Sequence, residues 1–118
     1  MERVFKILSL LFAILFVWAA VLQWNDPDAY IWYIVYTIPA IASLFYLFGR
    51  LPQMAAFLLS LAYIVGTVLS WPAKFEGFTI GEGDIVNIEK GREAFGLLII
   101  AIIMLVYALR IRYAKSKL

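Results

Sequence analysis

Cysteine and histidine are both absent from the 118-residue sequence. Their absence excludes disulfide bonds, thiol redox chemistry, ordinary zinc sites, histidine-ligated haem and a histidine general base. Charged residues are also scarce, since they make up 15% of the sequence while hydrophobic residues make up 65%. Soluble domains carry roughly a quarter charged residues, so this composition predicts an integral membrane protein without a second, soluble domain.

Four apolar runs without a charged residue divide the sequence. They lie at residues 7–22, 31–48, 54–71 and 95–109. Each run is about as long as the hydrocarbon core of a bilayer requires of a helix. We therefore predict one all-α transmembrane domain over residues 1–118. It is a bundle of four transmembrane helices at about 5–23, 29–48, 53–71 and 92–113, with an outer loop at 72–91.

Basic residues are distributed unequally between the two membrane faces that four spans define. Seven of the ten fall on one face, at Arg3, Lys6, Arg50, Arg110, Arg112, Lys115 and Lys117. The other three are Lys74, Lys90 and Arg92. The positive-inside rule then predicts that both termini are cytoplasmic, in a cell membrane of the bacterial inner-membrane type.

Small residues at regular intervals indicate where the helices meet. Apolar helix faces gain no hydrophobic free energy by leaving lipid, so helices associate where small side chains let their backbones approach closely. In the third span Ala62, Gly66 and Ser70 recur every fourth residue, and Ala56 and Ser60 repeat that spacing one stripe away. In the fourth span alanines recur every seventh residue, at Ala94, Ala101 and Ala108. The residues predicted to pack at helix contacts are Ala62, Gly66, Ser70 and Gly96.

Polar and aromatic residues gather at the predicted outer face, next to the second and fourth helices. This candidate cluster consists of Asn25, Asp26, Asp28, Trp32, Tyr36, Glu89, Arg92 and Glu93. Asp26, Pro27 and Asp28 have the residue types preferred at a helix N-terminus, so their presence has a structural explanation.

Glu89 and Glu93 are four residues apart, so on a helix they share a face and repel each other unless a cation lies between them. Two interpretations remain open. In one, Arg92 forms a structural ion pair with Asp26 or Asp28. In the other, the carboxylates hold a ligand or a hard cation such as calcium or magnesium. No cofactor is predicted.

Two blocks of this sequence resemble the transmembrane protein 220 family, a group of small multi-helix membrane proteins. The first is Leu22-Gln23-Trp24-Asn25-Asp26-Pro27-Asp28, followed by Trp32, Tyr36, Thr37, Ile38, Pro39 and Ala40. The second is Glu89-Lys90-Gly91-Arg92-Glu93, followed by Gly96, Leu97, Ile99 and Ile100. The resemblance implies that the first loop and the start of the fourth helix are characteristic features, but it implies no activity.

The four apolar runs contain no Asp, Glu, Lys or Arg, which disfavours a transporter or a proton pump. The favoured function is an accessory or scaffold subunit, with the lipid bilayer and a membrane protein or a second copy of the chain as partners. Nothing indicates a nucleic acid. The alternative is an outer-face carboxylate site for a cation, a lipid headgroup or a small ligand, including a membrane enzyme.

Overall fold

The computed structural model describes residues 2–25, 29–71 and 85–116, and the side chains of 3–24, 29–71 and 89–113. Its four long helices are α1 (Glu2–Val21), α2 (Ala29–Leu47), α3 (Gln53–Ser70) and α4 (Ile85–Ser116), and a short 3-10 turn at Leu22–Asn25 follows α1. No strand occurs in those ranges. All four helices are long and apolar enough to cross a membrane. The prediction of an all-α membrane protein with four spans is confirmed.

The fourth helix differs most from its predicted bounds. It begins at Ile85 rather than near residue 92, and it continues to Ser116 rather than ending near 113. Part of the predicted outer loop is therefore helical, while residues 72–84 lie outside the described part of the chain. A helix of this length measures roughly 48 Å, well beyond the ~30 Å hydrocarbon core.

The chain divides into two compact units, of which the first, Met1–Pro52, is a hairpin of α1 and α2. In α1 the buried residues Ser9, Ala13 and Phe16 are spaced by four and three. In α2 the buried residues lie on one side of the helix, at Pro39, Ala40, Ala42, Ser43 and Tyr46. Small side chains dominate these positions. They let the two backbones approach closely, which is how helices associate in lipid.

The end of α2 is fixed by backbone hydrogen bonds around Gly49. The N–H of Arg50 donates to the carbonyl of Phe45 over 2.8 Å, and the N–H of Gly49 donates to the carbonyl of Tyr46 over 3.0 Å. Gly49 has a positive φ of 71°. This pair of bonds with a left-handed glycine is the Schellman arrangement, which satisfies carbonyls at a helix end. Pro52 then precedes α3.

The second unit, Gln53–Leu118, contains the hairpin of α3 and α4. The buried residues of α3 are Ala56, Ser60, Tyr63 and Thr67. The buried side of α4 includes all three alanines of the seven-residue repeat, Ala94, Ala101 and Ala108, together with Leu97 and Met104. Alternating intervals of four and three on both helices give the spacing of a left-handed, coiled-coil-like seam.

Two contacts set the antiparallel register of this hairpin. The Ser60 hydroxyl donates to the carbonyl of Ala101 over 2.9 Å. Six residues further along α3, a Cβ on Gly66 would lie 3.3 Å from Cδ1 of Leu97. As the chain advances along α3, its partner positions on α4 therefore move back toward the start of that helix.

Candidate functional site

The candidate cluster begins where α1 ends. Asn25 is the last residue of the 3-10 turn, and Nε2 of Gln23 donates a hydrogen bond to the carbonyl of Ala19 over 3.1 Å. This bond supplies a donor to one of the last carbonyls of α1, which have no partner within the helix. Asp26 and Asp28 lie outside the described residues. Their predicted roles therefore remain predictions.

Trp32 and Tyr36 stand one turn apart near the start of α2. Their ring centroids are 6.1 Å apart, with the planes tilted by 34°. Both side chains are half-buried, whereas the neighbouring Tyr30 and Tyr33 are exposed. The two rings thus form an aromatic pair at the side of the hairpin, and the exposed tyrosines occupy the positions of an interfacial belt.

The acidic part of the cluster lies on α4 and not in a loop. Glu89 and Arg92 are exposed, and Glu93 is half-buried. By the register of Ser60 and Ala101, the end of α3 at Ser70 lies near Gly91 of α4, and the ring centroids of Trp71 and Phe95 are 5.8 Å apart at this end of the hairpin. The stretch from Ile85 to Lys90 therefore projects beyond α3 by roughly 9 Å, and its charged residues are Glu89 and Lys90.

Gly91 is buried although it sits among exposed charged residues. A glycine inside a helix costs ~1 kcal/mol relative to alanine, so it indicates either a break in the helix or the close approach of another segment. The helix continues without interruption through Gly91. Its burial therefore supports the close approach.

Metal binding is one interpretation of the carboxylates. Among the described side chains, no three acidic residues come together in a way that could hold a metal ion. Glu89 and Glu93, one turn apart, are the only acidic side chains described. Two carboxylates are fewer than the six to eight oxygen ligands that calcium takes, so a calcium site would need further donors.

The four residues predicted to pack at helix contacts occupy different environments. Ala62 is exposed, and Gly66, Ser70 and Gly96 are half-buried. The stripe of α3 that faces α4 is the neighbouring one, which starts at Ala56 and Ser60. Gly66 lies at the edge of that stripe, against Leu97.

The aromatic contact between Trp71 and Phe95 does not follow from the sequence pattern. It joins the residue that follows α3 to the first uncharged turns of α4 and so fixes where the two helices meet. The sequence gives only a weak indication of this contact, because Phe95 is simply the first residue of an apolar run that follows charged residues. An aromatic residue at the end of an apolar run is typical of the membrane interface, so the sequence indicates only an interfacial position for Trp71, and a residue there can also pack on a neighbouring helix.

Comparison with known proteins agrees with this architecture. A family model described as "Transmembrane family 220, helix" matches residues 15–109, and this range includes both blocks that carried the resemblance. No solved structure matches the chain.

Proposed function

The chain belongs to transmembrane family 220, and we propose that it serves as an accessory or scaffold subunit that binds other membrane components through its helix faces. The surface of each hairpin supports this role. The exposed large side chains of the spans are apolar, for example Ile14 and Val17 in α1 and Val65 and Leu69 in α3. Such faces suit lipid tails and the helices of other membrane proteins.

The observation that carries the proposal is that hydroxyl groups within the spans donate hydrogen bonds to helix backbones. Ser60 donates to the Ala101 carbonyl, Thr67 to the Tyr63 carbonyl over 2.8 Å, and Ser9 to the Lys6 carbonyl over 2.8 Å. Each of these groups serves a helix backbone. Transport and catalysis at depth generally use acidic or basic groups near the midplane, and the four runs contain no Asp, Glu, Lys or Arg.

A second stripe on α3 supplies a specific place for a partner. Ala62 is exposed and lies beside the seam that α3 forms with α4. Large apolar side chains, Leu58, Leu61 and Val65, surround it. A small residue among large ones leaves a notch into which the side chain of another helix fits. We assign the partner helix to this notch.

The proposed location is a bacterial inner membrane with both termini in the cytoplasm. The uneven distribution of Lys and Arg supports this orientation. Aromatic side chains support the membrane boundary on the opposite face, since Trp24, Tyr30 and Trp71 are exposed at three helix ends that this orientation assigns to that face. Arg50 and Arg112 are exposed at the other ends.

The experiment that tests the scaffold role is affinity purification of the tagged chain in mild detergent, followed by mass spectrometry. We expect a stoichiometric membrane-protein partner that Ala62→Leu displaces. The matched control is Val68→Leu, because Val68 is 69% exposed and its substitution adds bulk away from the notch. A stoichiometric partner that is retained equally by both variants contradicts the notch. Co-purification of an untagged second copy alone identifies a homo-oligomer.

A carboxylate site near the N-terminal end of α4 is the second candidate. The position of Glu89 one turn before the half-buried Glu93 favours it, because two carboxylates on one face of a helix repel each other unless a cation lies between them. Such a site would bind a cation or the cationic part of a lipid headgroup. Binding at this site would depend on the charge of Glu93, whereas the scaffold contact depends on the shape of the notch at Ala62 of α3.

A further inference from the structure

The C-terminal end of α4 extends past its partner helix and carries the strongest charge of the described chain. Since Ser60 bonds to Ala101, the start of α3 at Gln53 lies near Ala108 of α4. The turns from Arg110 onward therefore project beyond the hairpin. They contain Arg110 and Arg112, the sequence adds Lys115 and Lys117, and no acidic residue occurs after Glu93.

The depth of Arg110 follows from the spacing of charges along α4. About 16 uncharged residues separate Glu93 from Arg110. At ~1.5 Å per residue they span roughly 24 Å, which is less than the ~30 Å of the hydrocarbon core. Both charged residues are thus held at the boundary of the core. An arginine at this depth extends its side chain toward the phosphate layer.

Arg110 is also oriented by a neighbouring ring. Its guanidinium carbon lies 5.1 Å from the ring centroid of Tyr113, one turn later on the same face. Arg110 is half-buried, and Tyr113 is 47% exposed. Stacking on a ring restricts the planar guanidinium, whose N–H donors lie in one plane, and Nε of Arg110 is buried. That fork matches two oxygens of a phosphate, and a tyrosine hydroxyl adds another donor.

We propose that Arg110 and Tyr113 bind the phosphate of an anionic phospholipid headgroup at the C-terminal end of α4. Anionic rather than zwitterionic lipid is favoured because the turns beyond Leu109 contain only basic charges, which repel a choline group and attract a net negative headgroup. The positive-inside rule accounts for basic residues at this end. It does not account for a half-buried arginine stacked on an interfacial tyrosine.

The test is the relative association of spin-labelled phosphatidylglycerol and phosphatidylcholine with the full chain, in vesicles made of equal parts of the two lipids. We expect a preference for phosphatidylglycerol in the wild type and a decrease of about tenfold or more in Arg110→Gln, because a hydrogen bond to a charged group adds to the effect of the charge alone. Arg112→Gln is the matched control. It removes the same charge two residues away, on a different face of the helix that lacks the stacked ring, and should lower the preference by no more than about fivefold, the effect of one basic residue at a charged surface.

Two further measurements, the Arg110→Lys variant and competition by inorganic phosphate, separate a phosphate site from a general attraction of anions. Arg110→Lys keeps the charge but loses the fork, so a preference between those of the wild type and Arg110→Gln is expected if the phosphate is bound by geometry. Equal decreases in Arg110→Gln and Arg112→Gln would reduce the effect to the general surface potential and overturn the site. So would the absence of a lipid preference in the wild type. Competition by millimolar inorganic phosphate would show that the anion alone is recognised and would overturn the lipid assignment. Circular dichroism in the same vesicles verifies that each variant is folded.

Discussion

The hydroxyl of Ser60 on α3 donates a hydrogen bond to the backbone carbonyl of Ala101 on α4, over 2.9 Å and fully buried between the two helices. Ala101 belongs to a seven-residue repeat of buried alanines, so the helix backbone is accessible to a short side chain there. The bond fixes both the rotation and the register of the α3–α4 hairpin. It also defines which parts of α4 project beyond α3.

Removal of that bond should weaken the hairpin by a small but measurable amount. We expect Ser60→Ala to lower the free energy of unfolding by about 0.6 kcal/mol and at most ~1.7 kcal/mol, the range found for hydrogen bonds between membrane helices. Unfolding in mixed micelles with increasing dodecyl sulfate measures it. Thr37→Ala is the control, because Thr37 is exposed on α2 and its loss should not change the stability. A Ser60→Ala variant as stable as the wild type would contradict a stabilising role.

Gly66 and Leu97 should respond to substitution as a pair. A Cβ on Gly66 would lie 3.3 Å from the end of the Leu97 side chain, which is flexible enough to shift by a few tenths of an ångström. Gly66→Ala should therefore be nearly neutral, while Gly66→Leu should cost about 1–3 kcal/mol through overpacking. Leu97→Ala should recover part of that loss in the double variant, which a double-mutant cycle measures. Additive losses would show that the two residues do not meet.

Gly49 should be intolerant of a side chain for conformational reasons alone. Its φ of 71° lies in the left-handed region, and no atom of the described residues lies within 4 Å of the position that a Cβ would take. Gly49→Ala should therefore destabilise the chain by about 1 kcal/mol, the cost of that conformation for an L-residue. Gly49→Asn should cost less, because asparagine adopts this conformation more readily. Thermal unfolding in detergent compares them, and equal stability of all three proteins would contradict the Schellman end of α2.

Substitution at Glu93 distinguishes a structural carboxylate from a cation site. Glu93 is half-buried and Glu89, one turn earlier, is exposed. If Glu93 is structural, Glu93→Gln should lower the free energy of unfolding by about 1 kcal/mol, more than Glu89→Gln does, because only the partly buried charge has interactions that solvent does not screen. Chelators should then have no effect. A stoichiometric bound cation that is lost in Glu93→Gln without loss of stability would instead establish the cation site.

The orientation is tested by single cysteines, which are specific labels in a chain that has none. Ala29→Cys and Gly83→Cys should react with a membrane-impermeant maleimide added to intact cells, and Ser116→Cys should not. All three should react once the cells are permeabilised. The reverse pattern would place the termini outside and the carboxylates of α4 in the cytoplasm.

The sequence by itself determined that this is a four-span helical membrane protein of transmembrane family 220. The physical reason is that a bilayer requires long apolar segments and complete backbone hydrogen bonding within each, so composition and run length are sufficient evidence. The family blocks at the first loop and at Glu89 to Glu93 were equally visible, because they consist of local residue order.

The tertiary structure decided which face of each helix packs. Helix α3 carries two stripes of small residues on different faces, one through Ser60 and one through Ala62. The stripe through Ser60 faces α4, and Ala62 is exposed. Both faces are equally acceptable to lipid, so periodicity could not choose between them; the choice depends on which side chains interlock with α4. The early start of α4 at Ile85 is likewise not encoded in an apolar run, since charged residues can lie in a helix that projects into water. Contacts between distant parts of the chain therefore supplied what hydropathy and spacing could not.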